Sequence, residues 1–441
     1  MHSSGTLAIA EKAYELKKKG IEIIPFSLGE PDFKTPQNII EAAKRAMDEG
    51  KTHYTPINGI PELREAIAEK SRTENKIPCT ENDVMVTIAK QGIFSSIFSW
   101  VDRKEEVIIP EPAWVSYIPA VKLVGGVPVS VDMCSHSPRH KIYLQMKGKP
   151  DEIEPDHDAP EFTVTPEMIN EKITPKTKMI ILNSPNNPTG TVISKKNLIG
   201  IAELAQDYDL LVLTDEIYEK LTYDGVEHFS IASYDNMFER TITINGLSKT
   251  YAMTGWRIGW IVTNKKILNE IAKVQQHTIT CANSIAQWAA LEALKGPRDE
   301  IEKMIKTFDK RRRLLVHGLN KIDGIHCMMP KGAFYVFFKF DFDMTSQQFA
   351  EYLLEHAHIS VTPGSVFGKA GEGYIRMSYA TSRENIEKGL ENLQKAVENL
   401  KESGVPPLDE SKERKARDGR IFPNLAKVKN PMKSLNGIFG K

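Results

Sequence analysis

Lys249 and Arg257 stand eight residues apart in Asn245-Gly-Leu-Ser-Lys249-Thr-Tyr-Ala-Met-Thr-Gly255-Trp-Arg257-Ile-Gly-Trp260. The lysine follows Thr241-Ile-Thr-Ile244, an apolar run that reads as the end of a buried strand. Low-dielectric surroundings disfavour its ammonium form, and the neutral amine becomes a nucleophile able to form a Schiff base with an aldehyde. Arg257 offers a planar, two-pronged donor to a phosphate. A loop of ordinary surface charges could have the same composition, so the other candidates must decide.

Asn187 lies in Asn183-Ser-Pro-Asn-Asn187-Pro-Thr-Gly190, where two prolines restrict the backbone and aim its amide. A phenolic or carboxylate oxygen suits that donor, although the motif is also good turn chemistry. Asp215, in Thr214-Asp-Glu-Ile-Tyr218, could keep a pyridine nitrogen protonated while Tyr218 donates to a phenolate. An aspartate before a helical turn is equally a helix cap. Trp114 offers a flat face for an aromatic ring, or a core contact. Ala89 and Lys90 precede the helical pattern Ile93 to Trp100. Amides there suit a phosphate, and Lys90 suits a carboxylate or simply solvent. Arg376, in Tyr374-Ile-Arg-Met-Ser-Tyr-Ala380, is costly to bury without an anion, whether a substrate carboxylate or an internal acid.

These residues need elements to hold them. Asp83–Thr87, Glu106–Ile109, Met179–Leu182, Leu210–Leu213 and Thr241–Ile244 are short, continuous and rich in Val and Ile, as strands covered on both faces are. Amphipathic stretches such as Lys195 to Tyr208 alternate with them, which predicts an α/β domain with a mostly parallel sheet. Ligands of such sheets lie at the strands' carboxyl ends. Asn187, Asp215 and Lys249 all follow strand ends, 28 and 34 residues apart. Beyond about 285 the texture changes to a long helical pattern (Ser284–Leu294) and a strand-like run at 330–338. The expected organisation is an arm (1–13), a large domain (46–284), and a smaller α+β domain made of 14–45 and 285–400. A basic polar tail (401–441) follows, read as solvated or as a strap on a neighbouring subunit. Residues 147–161 hold six acidic residues and three prolines and read as a surface insertion.

Equal numbers of acidic and basic residues, 58 each, give no global attraction to nucleic acid or an anionic membrane. No apolar run is long enough to span a bilayer, and the N-terminus lacks a secretory pattern, so a cytoplasmic protein is expected. Cys79, Cys134, Cys281 and Cys327 are too scattered for zinc, and neither a metal nor a disulfide is expected.

Taken together the motifs resemble the class I and II aminotransferases, pyridoxal-phosphate enzymes of fold type I. The resemblance covers about residues 4–398 and is strongest to the aspartate aminotransferases of bacteria and archaea. It is carried by Leu28-Gly29-Glu-Pro-Asp-Phe33, Tyr54-Thr-Pro-Ile-Asn-Gly59, Pro61–Ala66, Ser184–Gly190, Ala252–Arg257 and Ser378–Ser382. It implies that Lys249 binds the cofactor covalently and moves protons, that Asp215 pairs with the pyridinium nitrogen, and that Tyr218 and Asn187 hold the phenolate oxygen. Trp114 would stack on the ring. Arg257 and the Ala89 and Lys90 amides would take the phosphate, which Tyr54 would reach from the other subunit of a homodimer. Arg376, Asn187, Trp114 and the Gly29 backbone would bind the substrate α-carboxylate.

Some relatives hold the distal carboxylate with an arginine from the partner, but His277–Ser284 contains none. Others use a lysine in a Gly-Lys-Gln loop, which Lys90-Gln91 resembles, favouring aspartate or glutamate. Thr87-Ile-Ala-Lys90 is one residue shorter than the family's loop, and Gly246 replaces a common serine. The implied activity is ping-pong transfer from L-aspartate to 2-oxoglutarate. Aromatic amino acids, alanine or prephenate are alternative substrates. A carbon–sulfur lyase on the same fold is an alternative reaction, and a non-enzymatic cofactor-binding regulator a remote one.

Overall fold

The computed structural model describes residues 12–134, except 14 and 17, and 162–403. The expected insertion at 147–161, most of the arm and the tail beyond 403 lie outside these residues. In chain order the strands are β1 (Ile24–Pro25), β2 (Val84–Thr87), β3 (Glu106–Glu111), β4 (Val127–Asp132), β5 (Thr177–Asn183), β6 (Leu211–Asp215) and β7 (Thr241–Gly246). They continue as β8 (Gly259–Val262), β9 (Ile325–His326), β10 (Tyr335–Phe340), β11 (Ile359–Ser360), β12 (Thr362–Pro363) and β13 (Tyr374–Ser378).

A seven-stranded sheet runs in the order β2-β8-β7-β6-β5-β3-β4. β4, β3, β5, β6 and β7 are parallel, and β8 runs antiparallel to both its neighbours. The five strands expected from the apolar runs are present to within a few residues. Continuous hydrophobicity has a direct cause here, since successive side chains point to opposite faces and both faces are covered. Ile180, Leu182 and Val212 pack with Leu198, Ile201 and Ala205 of the helix Lys195–Asp207. Met179, Ile181, Leu211, Leu213, Ile242 and Ile244 face the other way, onto Ile93 and Ile97 of the helix Ala89–Trp100 and onto Ile267 and Ile271 of Lys265–Thr278. Each such side chain contributes about 1.5–3 kcal/mol on burial. The covering helices begin where polar caps permit: Ser194 accepts from the Asn197 N–H, and Asn264 from those of Lys266 and Ile267.

A four-stranded antiparallel sheet, β12-β13-β10-β9, is built from the C-terminal third. β1 pairs in parallel with β11, which brings residues just after Pro25 beside this sheet. The described residues up to Glu398 form one compact unit. Among the described residues no helix is long and apolar enough to cross a membrane.

Candidate active site

A cavity of about 380 Å³ opens at the carboxyl ends of β5, β6 and β7. Asn187, Asp215, Tyr218 and Lys249 line it, as the strand-end pattern predicts, together with Gly29, Ala89, Lys90, Trp114, Arg257 and Arg376. Tyr54 does not line it: the side chain is 89% exposed in the single chain.

Asp215 is the last residue of β6 and is buried. Tyr117 donates its hydroxyl to Oδ2 at 2.8 Å and the Ile217 N–H donates to Oδ1 at 3.2 Å. The turn bond to Ile217 is of the kind expected of a cap, but no helix follows. Burial pushes the carboxyl pKa up to about 6, against the opposing effect of the Tyr117 and Ile217 bonds. Lys249 follows β7 and donates to the Gly29 carbonyl at 2.5 Å. Burial, and then the field of Arg376, lowers its pKa to about 8, so a useful fraction of neutral amine exists near neutral pH.

Arg376 sits mid-strand in β13 and is buried. Its guanidinium donates to Asn187 Oδ1 at 3.0 Å, to the Ser27 carbonyl at 2.8 Å and to Thr362 Oγ1 at 3.2 Å. Nε is buried with no hydrogen-bond partner. No carboxylate pairs with it among the described residues, so the internal salt bridge weighed from the sequence is not formed. Burial accordingly lowers its pKa. The same contact occupies the Asn187 oxygen, leaving its NH2 group for another acceptor.

The helix Ala89–Trp100 begins at the cavity, four residues earlier than its apolar pattern indicates. Its N-cap, Ile88, supplies no side-chain cap, and the first helical bond is made by the Gly92 N–H. The amides of Ala89, Lys90 and Gln91 therefore remain available as donors. The shortened loop still delivers Lys90 to the cavity, with Nζ 4.8 Å from the centre of the Trp114 ring. Burial and then the neighbouring Arg257 lower the Lys90 pKa. Arg257 is held at φ +54° and donates to the Thr254 carbonyl at 2.8 Å. Gly246 has a local reason: a Cβ there would lie 2.9 Å from Gly259 Cα, so a serine would crowd the β7–β8 pair.

Tyr117, Ser248, Tyr335, Thr362 and Phe367 also line the cavity and were not singled out from the sequence. Tyr117 lies three residues after Trp114 in a segment already marked, and its ring meets Trp114 edge-on at 5.3 Å. Tyr335, Thr362 and Phe367 arrive from the C-terminal third with no local signal. Behind Asp215, His228 Nε2 and Glu216 Oε2 are 3.0 Å apart, and Glu219 pairs with Lys70. Although burial opposes it, Glu216 raises the His228 pKa, and the Lys70 ammonium occupies this group of acids as a counter-ion.

Pyridoxal phosphate fits these residues. Burial holds the Asp215 carboxyl at about 6 with Lys249 only a minor counterweight, so a protonated pyridine beside it would supply a cation that suits it. Uncapped amides and Arg257 suit a phosphate, and a lysine lowered to about 8 suits an aldehyde. When bound, this group supplies an electron sink for the bonds at an amino acid's α-carbon.

The family model for aminotransferase class I and II matches residues 21–393. The chain is 44% identical over 384 residues to an aspartate aminotransferase of Pyrococcus abyssi, covering 86% of this chain and 92% of that one. It is 42% identical to an aromatic-amino-acid aminotransferase 2 of Thermococcus litoralis, again covering 86% and 92%. Its fold matches the aspartate aminotransferase of Thermus thermophilus solved with maleate at a TM-score of 0.79, with 41% identity, covering 90% of this chain and 97% of that one. The chain thus belongs to the class I and II aminotransferases and is a pyridoxal-phosphate-dependent transaminase of fold type I.

Proposed function

We propose that the chain transfers the amino group of L-aspartate to 2-oxoglutarate, as a homodimer with shared sites. The observation that carries this reading is Arg376: a buried guanidinium that has, among the described residues, one nitrogen without a hydrogen-bond partner and no paired acid, on a cavity that also holds Lys90. With Arg257 given to the phosphate and Lys249 to the aldehyde, the two remaining cations of the cavity, Arg376 and Lys90, suit a substrate with two carboxylates. Arg376 binds the α-carboxylate bidentately, and Lys90 meets the distal one. The maleate named in the Thermus thermophilus structure is itself a dicarboxylate, bound by a protein with the same fold.

The other side chains then have defined tasks. Asp215 balances the charge of the pyridine nitrogen, held in place by Tyr117 and the Ile217 N–H. Tyr218 and the Asn187 NH2 group donate to the ring oxygen, and Trp114 covers the ring. Arg257 and the first amides of the helix at Ala89 hold the phosphate. The Lys249 amine would take the α-proton of the bound amino acid and return a proton as the amino group is transferred. Tyr54, exposed here, serves the phosphate of a second copy.

A second reading, transfer from aromatic amino acids, draws on Trp114, Tyr335 and Phe367 in the cavity wall and on the aromatic relative. Steady-state kcat/KM for aspartate, alanine and phenylalanine, in wild type and Lys90→Ala, separates the two. The proposal expects aspartate to lead and to lose about 10²-fold in Lys90→Ala while alanine is spared. Phenylalanine leading, with Lys90→Ala harmless, would establish the aromatic reading instead.

A further inference from the structure

Ala333 is fully buried with φ +57°, a left-handed conformation unfavourable for any residue with a Cβ. It stands two residues before Tyr335. Such a conformation persists only where its surroundings over-determine it. Here the Ala333 N–H donates to the Leu221 carbonyl at 2.9 Å. Its own carbonyl accepts two buried tyrosine hydroxyls, from Tyr223 at 2.6 Å and Tyr379 at 3.0 Å. The Tyr223 ring is in turn covered by the Arg312 guanidinium, 4.6 Å from its centre.

The bonds around Ala333 reach two of the site's loops. Leu221 and Tyr223 belong to the turn that leaves Asp215 and Tyr218. On the other side, the N–H groups of Lys331 and Gly332 donate to the Gly190 carbonyl at 3.0 and 2.7 Å, at the end of the loop that carries Asn187. Gly190 has φ +69°, and a Cβ there would lie 2.5 Å from Pro330, so the approach is close. What emerges from this junction is Tyr335. Its hydroxyl lies 2.9 Å from that of Tyr218, and the Arg376 guanidinium sits 4.5 Å from its ring centre.

We propose that the Ala333 junction, clamped by Tyr223 and Tyr379, is a positioning device: it fixes Tyr335 so that the Tyr335 and Tyr218 hydroxyls bond and the Tyr218 proton is aimed at the cofactor's ring oxygen. Tyr223 and Tyr379 are positioning residues, since neither lines the cavity. The inference rests on the proposed role of Tyr218. The ionisable groups facing the Tyr218–Tyr335 pair are Asp215 on the preceding strand, Tyr117, Lys249 after β7 and Arg376 on β13.

The test is a pH titration of the bound cofactor's absorbance in holoenzyme without substrate, alongside thermal melting. A donor to the ring oxygen favours its deprotonated form, so Tyr218→Phe should raise the titration midpoint by about half a unit or more. The proposal expects Tyr379→Phe, and more so Tyr223→Phe combined with Tyr379→Phe, to raise it in the same direction, whereas Ala333→Gly, which keeps both bonds and eases the left-handed backbone, should leave it in place. Tyr352→Phe is the control: it removes a similar buried bond, from the Tyr352 hydroxyl to the Ala396 carbonyl at 2.9 Å, away from the cavity. It should lower the melting temperature and leave the midpoint alone. If Tyr379→Phe and the double variant also change only the melting temperature, the bonds merely hold the fold and the proposal is overturned. Should Tyr218→Phe itself leave the midpoint in place, the role given to Tyr218 is wrong and the proposal falls with it. Tyr379→Phe alone removes one of the two clamping bonds, so the test stands even if the double variant does not fold.

Discussion

Asp215→Asn should make the cofactor-free protein more stable and the enzyme nearly inactive. The carboxyl is buried, and its pKa is about 6 in the folded chain against an ordinary 3.8. A rise of about 2 units, at about 1.4 kcal/mol each, means that ionising it inside the protein costs about 3 kcal/mol. The folded value lies above the unfolded one, so the folded state holds the proton more tightly. Stability is therefore highest below the unfolded pKa, falls as pH rises through the interval to about 6, and stays low beyond it. Asparagine carries no charge to bury, and Tyr117 can still donate to its amide oxygen. Urea denaturation of the two cofactor-free proteins should show the variant ahead by up to about 3 kcal/mol near pH 8, with no difference near pH 3.5. With cofactor bound, the variant cannot balance a protonated ring nitrogen, and kcat should fall by about 10²-fold or more. A variant less stable than wild type near pH 8, or a stability difference that does not change with pH, would refute the claim that burial of an uncompensated charge dominates at this position.

Arg376→Ala should raise KM for aspartate by about 10²-fold or more, the loss expected when one partner of a buried, hydrogen-bonded charge pair is removed. Arg376→Lys should recover little of it, because a point charge cannot replace the fork that also engages Asn187, Ser27 and Thr362; substrate titrations read both. Against burial, which raises it, Lys70 with His228 and Lys220 holds the Glu219 pKa down at about 2, below the usual 4.5. Glu219 therefore contributes stability that is full above the unfolded value and lost as pH falls toward 2. Acid denaturation of Glu219→Gln should show a flatter limb across that range, and an unchanged limb would count against the pairing. Gly246→Ala places a methyl 2.9 Å from Gly259 Cα. It should cost about 1–3 kcal/mol and lower the melting temperature.

The parallel strands were legible because burial on both faces makes a strand hydrophobic at every position, as in Met179-Ile-Ile-Leu182. The polar residues that interrupt such runs at their carboxyl ends, Asp215 and the loops holding Asn187 and Lys249, marked the site for the same reason. β4 was hidden because it is an edge strand, Val127-Pro-Val-Ser-Val-Asp132, partly exposed and interrupted by proline. β8 was hidden inside a motif read for its chemistry, since Gly259 and Trp260 begin a strand there. Tyr335, Thr362 and Phe367 reach the cavity only through the packing of the two sheets, which no local pattern encodes. Arg376 was visible as an arginine in an apolar strand, but only its contacts show that no acid in the described chain neutralises it.

The most direct test of the central claim is a single-turnover reaction of the holoenzyme with one amino acid and no oxo acid, followed by absorbance. The account predicts that aspartate converts the bound cofactor from its aldehyde form to its amine form, releases one oxaloacetate per site, and stops until an oxo acid is added. Lys249→Ala should fail to convert on the same time scale. Continuous turnover with release of ammonia, or conversion that survives the loss of Lys249 unchanged, would contradict it.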